Sequence, residues 1–566
     1  MKIDWDVPIR MDDGLELRAD IFRPDSPGKV PALLSYGPYG KGLAFQEGYQ
    51  TAWEIMAREN PDALAGSSNR YQNWEVVDPE KWVPEGYACV RIDSRGAGRS
   101  PGFLRHNDAR ETRDIHLSIE WTAQQPWCSG RVGMNGISYY ASNQWRAAAT
   151  QPPHLAAICV WEGWNDAYRE SARHGGIICS FRKNWQDMQV KTVQHGFASG
   201  RKNPNTGAAV CGDETLSEQQ LEKNRENMWQ EFLSREMDGP YYRERSVDFA
   251  RITVPLLSAA NWGGQGLHTR GNFEGFMRSP SKNKWLEVHG GSHWAPFYTD
   301  YGVELQRDFF AFFLKGKDNG WDRQSRVLLN VRSPGERFVL RSESEWPLAR
   351  TRWTRFYLDP DGLSLSPSEK ASGRSLTYDA TGDGITFSTP PLRGEMEITG
   401  PAALKLLVSS STADADLFVV LRVFDPAGKE VLFQGALDPR TPVAQGWLRA
   451  SHRKLDRELS LPYRPYHTHD EKQPLKPGVP VELDIEIWPT CIVVPAGYRI
   501  ALTIRGRDYE HDGAAATLSN MKNPMRGCGP FTHDDPTDRP PAVFGGKVTL
   551  HFDKPPFLLL PVIPMN

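Results

Sequence analysis

Apolar positions come in short continuous runs through the first half of the chain and in alternation through the second. The runs are Val30 to Tyr36, Tyr87 to Ile92, Arg131 to Met134, Leu155 to Val160, Val254 to Ala259 and Trp285 to Val288, with helical periodicity between them. Continuous apolar strands alternating with helices predict a parallel sheet covered on both faces. Ahead of them, Val7, Ile9, Leu15, Leu17 and Ile21 flank Asp12-Asp13-Gly14, the residue types of a tight turn, which predicts an opening hairpin. Between about 166 and 250 the strand rhythm stops, and polar helical stretches such as Leu216 to Leu233 carry Trp185, Met188, Met228 and Trp229, as a helical insertion would. After Phe313-Leu314-Lys315-Gly316-Lys317 the period changes to two, in Leu404 to Leu406, Leu417 to Phe424, Val481 to Ile487, Tyr498 to Ile504 and Val548 to Phe552. That alternation predicts an antiparallel sandwich. The expected domains are an α/β core over 1–165 and 251–325, a helical cap over 166–250, and an all-β domain over 326–566.

The length of 566 residues allows roughly three to four domains, and 39% hydrophobic residues with 19 Trp, 18 Tyr and 24 Phe suffice for packed interiors. A formal charge of −3 is too balanced to attract polyanions, so nucleic acid is not an expected partner. The 7 cysteines are scattered without a Cys-x-x-Cys pair, which predicts reduced thiols. The N-terminus lacks an apolar signal-like stretch, and the run from Phe557 to Ile563 is too short to span a bilayer. A cytoplasmic location away from membranes is the expectation.

Candidate chemistry concentrates in Gly136-Ile137-Ser138-Tyr139-Tyr140, which joins a strand directly to the helix-like segment after it. A sharp strand-to-helix turn needs small neighbours and exposes the residue at its apex, here Ser138. The amide of Tyr139 then lies at a helix N-terminus, where it can stabilise an oxyanion. Tyr140 replaces the second glycine of the usual Gly-x-Ser-x-Gly pattern. A serine nucleophile needs a base, and Trp285-Leu286-Glu287-Val288-His289 followed by Gly290-Gly291-Ser292-His293 offers two histidines. His289 belongs to the strand by alternation; His293, beyond a Gly-Gly turn, is the expected base.

Gly37-Pro38-Tyr39-Gly40, Asp93-Ser94-Arg95-Gly96-Ala97-Gly98-Arg99-Ser100, Gly136-Ile137-Ser138-Tyr139 and Gly291-Ser292-His293, in this order, resemble the CocE/NonD hydrolases. The C-terminal half resembles the jelly-roll, galactose-binding-like domain that they share with X-prolyl dipeptidyl-peptidases. The resemblance implies an α/β-hydrolase core with a helical cap inserted after the sixth strand, a jelly-roll sandwich, and a Ser-His-acid triad. It also implies that the Tyr39 hydroxyl joins the Tyr139 amide in the oxyanion hole; a phenol keeps its proton at neutral pH. The sequence departs from the pattern at the acid, because Ala260-Asn261-Trp262-Gly263-Gly264 places Gly264 where the family has Asp. Glu162, at the C-terminal end of the sixth strand, is the expected replacement, since the ligand site of an open α/β sheet forms at that end. Asp166 is the alternative.

The expected reaction is hydrolysis of a small-molecule ester, or an amide, through an acyl-enzyme on Ser138, with His293 as base and Glu162 as its acid. Trp164, Tyr168 and Trp262 are candidate substrate contacts, as are Trp185 and Trp229 of the cap. An X-prolyl dipeptidyl aminopeptidase or an amino-acid ester hydrolase or acyltransferase is the alternative within hydrolases. A substrate α-ammonium would then need an anionic pocket, for which the cap offers Asp187, Glu222 and Glu226. A non-catalytic binding protein on the same fold is the alternative of another class. His268 and Arg270, after the departed acid loop, are candidates to line the site, but helix-start residues with a solvated arginine are the favoured reading. Asp508, Glu510, His511 and Asp512, and His533-Asp534-Asp535, lack specific ligand spacing, so no metal and no organic cofactor are expected. Homo-oligomerisation through the sandwich stays open.

Overall fold

The computed structural model describes residues 1–517 and 524–564. Its first half is built on strands β1 (Lys2–Arg10), β2 (Glu16–Arg23), β3 (Val30–Gly37), β4 (Ala88–Asp93), β5 (Cys128–Ile137), β6 (Leu155–Trp161), the short pair β7 (Arg173–His174) and β8 (Ile177–Ile178), β9 (Leu256–Asn261), β10 (Lys284–His289), β11 (Val327–Ser333) and β12 (Arg337–Glu343). All except β7 and β8 form one 10-stranded sheet in the order β1-β2-β4-β3-β5-β6-β9-β10-β11-β12. Strands β4 through β11 run parallel along this order, and antiparallel pairs close both edges. The parallel strands are the continuous apolar runs of the sequence, and helices cover both faces. The helix Tyr139–Ala149 buries Trp145 on one side, and the helix Asp300–Lys315 buries Phe309 and Phe310 on the other.

Strands β11 and β12 lie beyond the expected boundary at 326 yet join the first sheet. Val327, Leu328 and Leu329 pair in parallel register with Leu286, Glu287 and Val288, so this apolar run extends the first sheet rather than opening the second. The second domain is an 11-stranded, mainly antiparallel sheet. Its central strand Met396–Ser410 pairs with Val481–Val494 on one side and with Phe557–Ile563 on the other, and the sheet closes on itself like a barrel. Along that strand Leu404, Leu406 and Val408 are buried while Lys405 and Leu407 are half-buried, the period of two seen in the sequence. Among the described residues no helix is long and apolar enough to cross a membrane.

The cap and the second domain both reach the C-terminal ends of the parallel strands. The loop through Gly435 and Ala436 of the second domain wedges between the loops after β9 and β10. The Ala436 amide donates to the Gly263 carbonyl at 3.0 Å, and the His293 amide donates to the Ala436 carbonyl at 2.8 Å. A Cβ on Gly263 would lie 2.4 Å from the Gly435 Cα, so this approach requires glycine.

Candidate active site

Ser138 stands where β5 turns into the helix Tyr139–Ala149, with φ 59° and ψ −109°. The turn closes because Gly136 adopts φ 146°, where a Cβ would lie 2.5 Å from the Cβ of Tyr140. Tyr140 fits in place of the usual second glycine because its ring occupies the room beside Gly37. The Tyr139 amide is at the first position of the helix, as the oxyanion role requires. The Tyr139 side chain points elsewhere, its hydroxyl donating to Glu111 Oε1 at 2.6 Å.

Two buried histidines meet at the serine with parallel rings, 5.2 Å between centroids. Ser138 Oγ is hydrogen-bonded at 3.0 Å to Nε2 of His268, not to His293. Nδ1 of His268 accepts the Trp164 backbone N–H at 3.1 Å, so in the neutral ring Nε2 carries the proton and donates to the serine. Burial, and then the neighbouring His293, hold His268 well below the ordinary histidine value, which keeps it neutral.

His293 is arranged the other way. Its Nδ1 lies 2.7 Å from Glu162 Oε2, and its Nε2 lies 3.1 Å from Glu75 Oε1. The other oxygen of Glu162 is held at 3.1 Å by His289 Nε2 and at 3.1 Å by Asn261 Nδ2, while His289 Nδ1 lies 2.7 Å from Glu287. Glu287, His289, Glu162, His293 and Glu75 thus form one buried chain of alternating carboxylates and imidazoles. Burial would raise the Glu162 carboxyl, but His293 and His289 hold it down at about 2. Burial would lower His293, but Glu162 and Glu75 raise it to about 10. His289 is raised to about 9 by Glu287 and Glu162 against the same burial effect. Glu75 is raised to about 7 by burial, which outweighs the pull of His293.

Three members of this constellation, Ser138, Glu162 and Glu75, have positive φ of 59°, 53° and 64°. Such conformations cost of order 1–3 kcal/mol each in a non-glycine residue and concentrate at functional sites.

Ser138, His268, His293 and Glu75 line one cavity with Tyr39, Trp74, the cap residues Phe181, Trp185 and Gln189, and Leu437 and Phe531 of the second domain. The cavity is narrow, with a volume of about 20 Å³. The Tyr39 hydroxyl accepts Trp185 Nε1–H at 3.0 Å, and burial and then Glu75 keep the phenol protonated, its pKa well above the ordinary value.

Several sequence expectations are corrected. Asp166 caps the turn that follows it, accepting from the Tyr168 and Arg169 amides, and pairs with the Arg169 guanidinium at 2.9 Å, so it is committed away from His293. Trp164, Tyr168 and Trp262 do not line the cavity. The Trp164 ring lies under Arg146 and Arg182, the Tyr168 hydroxyl donates to the Glu236 carbonyl at 2.6 Å, and Trp262 packs against Phe273 and Trp346. Arg270 is buried rather than solvated, paired with Glu170 at 2.8 Å and Glu486 at 2.9 Å. The sequence favours a helix-start role for His268 over a place at the site and does not single out Glu75. His268 stands in the loop that follows the absent aspartate, which is the signal for it, whereas Glu75 lies in a long irregular stretch with no pattern to mark it.

A family model described as X-Pro dipeptidyl-peptidase (S15 family) matches residues 13–295, and one described as the X-Pro dipeptidyl-peptidase C-terminal non-catalytic domain matches residues 319–517. Cocaine esterase from Rhodococcus sp. (strain MB1 Bresler) is 26% identical over 500 residues, covering 75% of this chain and 81% of its own. A putative serine esterase of Mycobacterium bovis is 24% identical over 617 residues, covering 91% and 93%. The crystal structure of a CocE/NonD family hydrolase from Staphylococcus aureus has a TM-score of 0.84 at 30% identity, covering 99% of this chain and 94% of the other. The chain belongs to this S15 and CocE/NonD family of hydrolases.

Proposed function

We propose that this hydrolase cleaves a small carboxylic ester through an acyl-enzyme, with Ser138 as nucleophile, His293 as general base and acid, and Glu162 as the carboxylate that orients His293. The observation that carries this reading is the 2.7 Å contact of His293 Nδ1 with Glu162 in the cavity that also holds the strained Ser138. An imidazole whose Nδ1–H is fixed on a carboxylate can act as a base through Nε2 once the proton that the resting imidazolium holds toward Glu75 has left. His268 has the opposite tautomer and no carboxylate partner, so it serves as a donor that parks the serine hydroxyl.

Catalysis then begins from the neutral form of His293, its Nε2 proton lost to solvent by way of Glu75, with rotation of Ser138 about its Cα–Cβ bond carrying Oγ from His268 to that nitrogen. Oγ attacks the ester carbonyl while its proton passes to His293. The oxyanion is held by the Tyr139 amide and the Tyr39 hydroxyl. His293 returns the proton to the leaving alcohol, and water, deprotonated by the same nitrogen, releases the acid.

An ester is favoured over an X-prolyl dipeptide because the described walls hold one carboxylate, Glu75, and its Oε1 is taken by the catalytic His293. Glu75 is engaged by His293, Asp187 pairs with Lys191 at 2.6 Å, and Glu226 pairs with Arg245 at 3.3 Å. The closed C-terminal sheet is read as the jelly-roll of the family. Intact-mass spectrometry after a fluorophosphonate probe tests the assignment. A single adduct on the wild type that is absent from Ser138→Ala supports it; a folded wild type that stays unlabelled, or a Ser138→Ala variant that still labels, overturns it. Turnover of a p-nitrophenyl ester but not of a dipeptidyl-proline anilide supports the ester over the peptide.

A further inference from the structure

A second cluster of reactive side chains lies behind the cavity, at the junction of the cap and the second domain. His174, on β7, and His533, on a loop of the second domain, face each other with Nδ1 and Nε2 2.7 Å apart. Cys179 follows β8, and one donor atom from each of the three residues lies within 4.8 Å of the others. All three are buried. The Trp447 ring lies 4.7 Å from that of His174 and 5.6 Å from that of His533, and Trp488 and Phe418 close the surroundings.

The outer contact fixes the tautomer of His533. His533 Nδ1 lies 2.7 Å from Asp508 Oδ1, whose other oxygen accepts the His533 backbone N–H at 2.6 Å, so Asp508 is an acceptor and Nδ1 carries a proton. The inner Nε2 of His533 is therefore a lone pair, and without a metal the neutral His174 donates its Nδ1 proton to it across the 2.7 Å contact. With that proton on His174 Nε2 instead, facing the Glu170 carbonyl at 3.3 Å, both inner nitrogens and the Cys179 thiolate are free to bind a divalent metal, whose charge the thiolate and Asp508 would balance. The outer contacts to a carboxylate and a backbone carbonyl are those that orient metal-bound imidazoles.

We propose that His174, His533 and Cys179 form a binding site for a borderline-soft divalent cation of the zinc class, with Asp508 orienting His533. Binding at tetrahedral geometry would open the two nitrogens to about 3.3 Å, a small ring shift. The ion would join the cap to the second domain directly behind the cavity wall. The segments are already adjacent: the Ser180 amide donates to the Thr532 carbonyl at 2.8 Å, and Phe181 and Phe531, which both line the cavity, have ring centroids 5.0 Å apart. This inference is independent of the triad assignment.

The test is metal analysis of the full chain after incubation with zinc or cobalt(II) and desalting. About one ion per chain is expected, with a near-ultraviolet thiolate-to-cobalt charge-transfer band and a melting temperature that falls on chelation. Cys179→Ser should lose the band, and His533→Gln should lower the metal content at least tenfold. Cys211→Ser, away from the cluster, should leave both unchanged. A wild type holding less than about a tenth of an equivalent would overturn the proposal, with a shared proton left between the rings, and this outcome does not depend on any variant folding. Metal retained in full by folded Cys179→Ser and His533→Gln would overturn it as well.

Discussion

The loops after β9 and β10 each deliver a histidine to Ser138, and the two differ in what stands behind the ring. Behind His293 is Glu162, itself held by His289 and Asn261; behind His268 is a backbone amide. In the neutral rings the first arrangement fixes a proton on Nδ1 and leaves Nε2 to accept, and the second does the reverse. Proximity to the serine alone would pick His268, which is 3.0 Å away. The group on the far nitrogen picks His293, because that group decides which ring can take a proton.

The largest effect should come from removing that far partner. Glu162→Gln is expected to slow ester turnover by about 10⁴-fold, as loss of the orienting carboxylate does in serine proteases, whereas Asp166→Asn should leave the rate within a few-fold. Equal losses in the two variants would break the distinction drawn between these acids.

Next in size is the donor to the oxyanion. Tyr39→Phe should lower kcat by about 10²- to 10³-fold with little change in KM. If His268 rather than Tyr39 supplied that hydrogen bond, Tyr39→Phe would cost little, and the comparison between the histidines would need to be redrawn.

The smallest effect is a shift in pH dependence. Glu75 and Glu162 raise His293 to about 10, and a base must be neutral to act, so the acid limb of the labelling rate should lie on the alkaline side of an ordinary histidine. Glu75→Gln removes one of those charges, so the limb should move down by about one pH unit and the rate at pH 7 should rise about tenfold. A limb that stays in place would show that Glu75 does not govern the proton on His293.

Much of this was legible in the sequence, and the part that was not has a physical cause. The parallel strands and the elbow at Ser138 are local: continuous apolar runs make the first, and Gly136 beside the helix start makes the second. The contact of His293 with Glu162 follows from strand ends that converge in an open α/β sheet. Strands β11 and β12 fall beyond the expected boundary at 326 yet join the first sheet, because partner choice is a tertiary matter that a run such as Val327-Leu328-Leu329 does not encode. Glu75 was missed because it reaches the site from an irregular stretch held by a positive φ. The cavity lining is not legible in the sequence for a related reason. Trp164, Tyr168 and Trp262 are as apolar as Phe181 and Phe531, and only packing tells a cavity wall from a core.

The account rests on His293, not His268, being the base. The direct test is the fluorophosphonate labelling rate of His293→Asn beside that of His268→Asn, each checked for folding by circular dichroism. The account predicts that His293→Asn labels at least about 10³-fold more slowly than the wild type, and that His268→Asn, which loses only a parking contact, stays within about tenfold. A His268→Asn variant that fails to label while His293→Asn labels normally would contradict it and give the serine to the nearer ring.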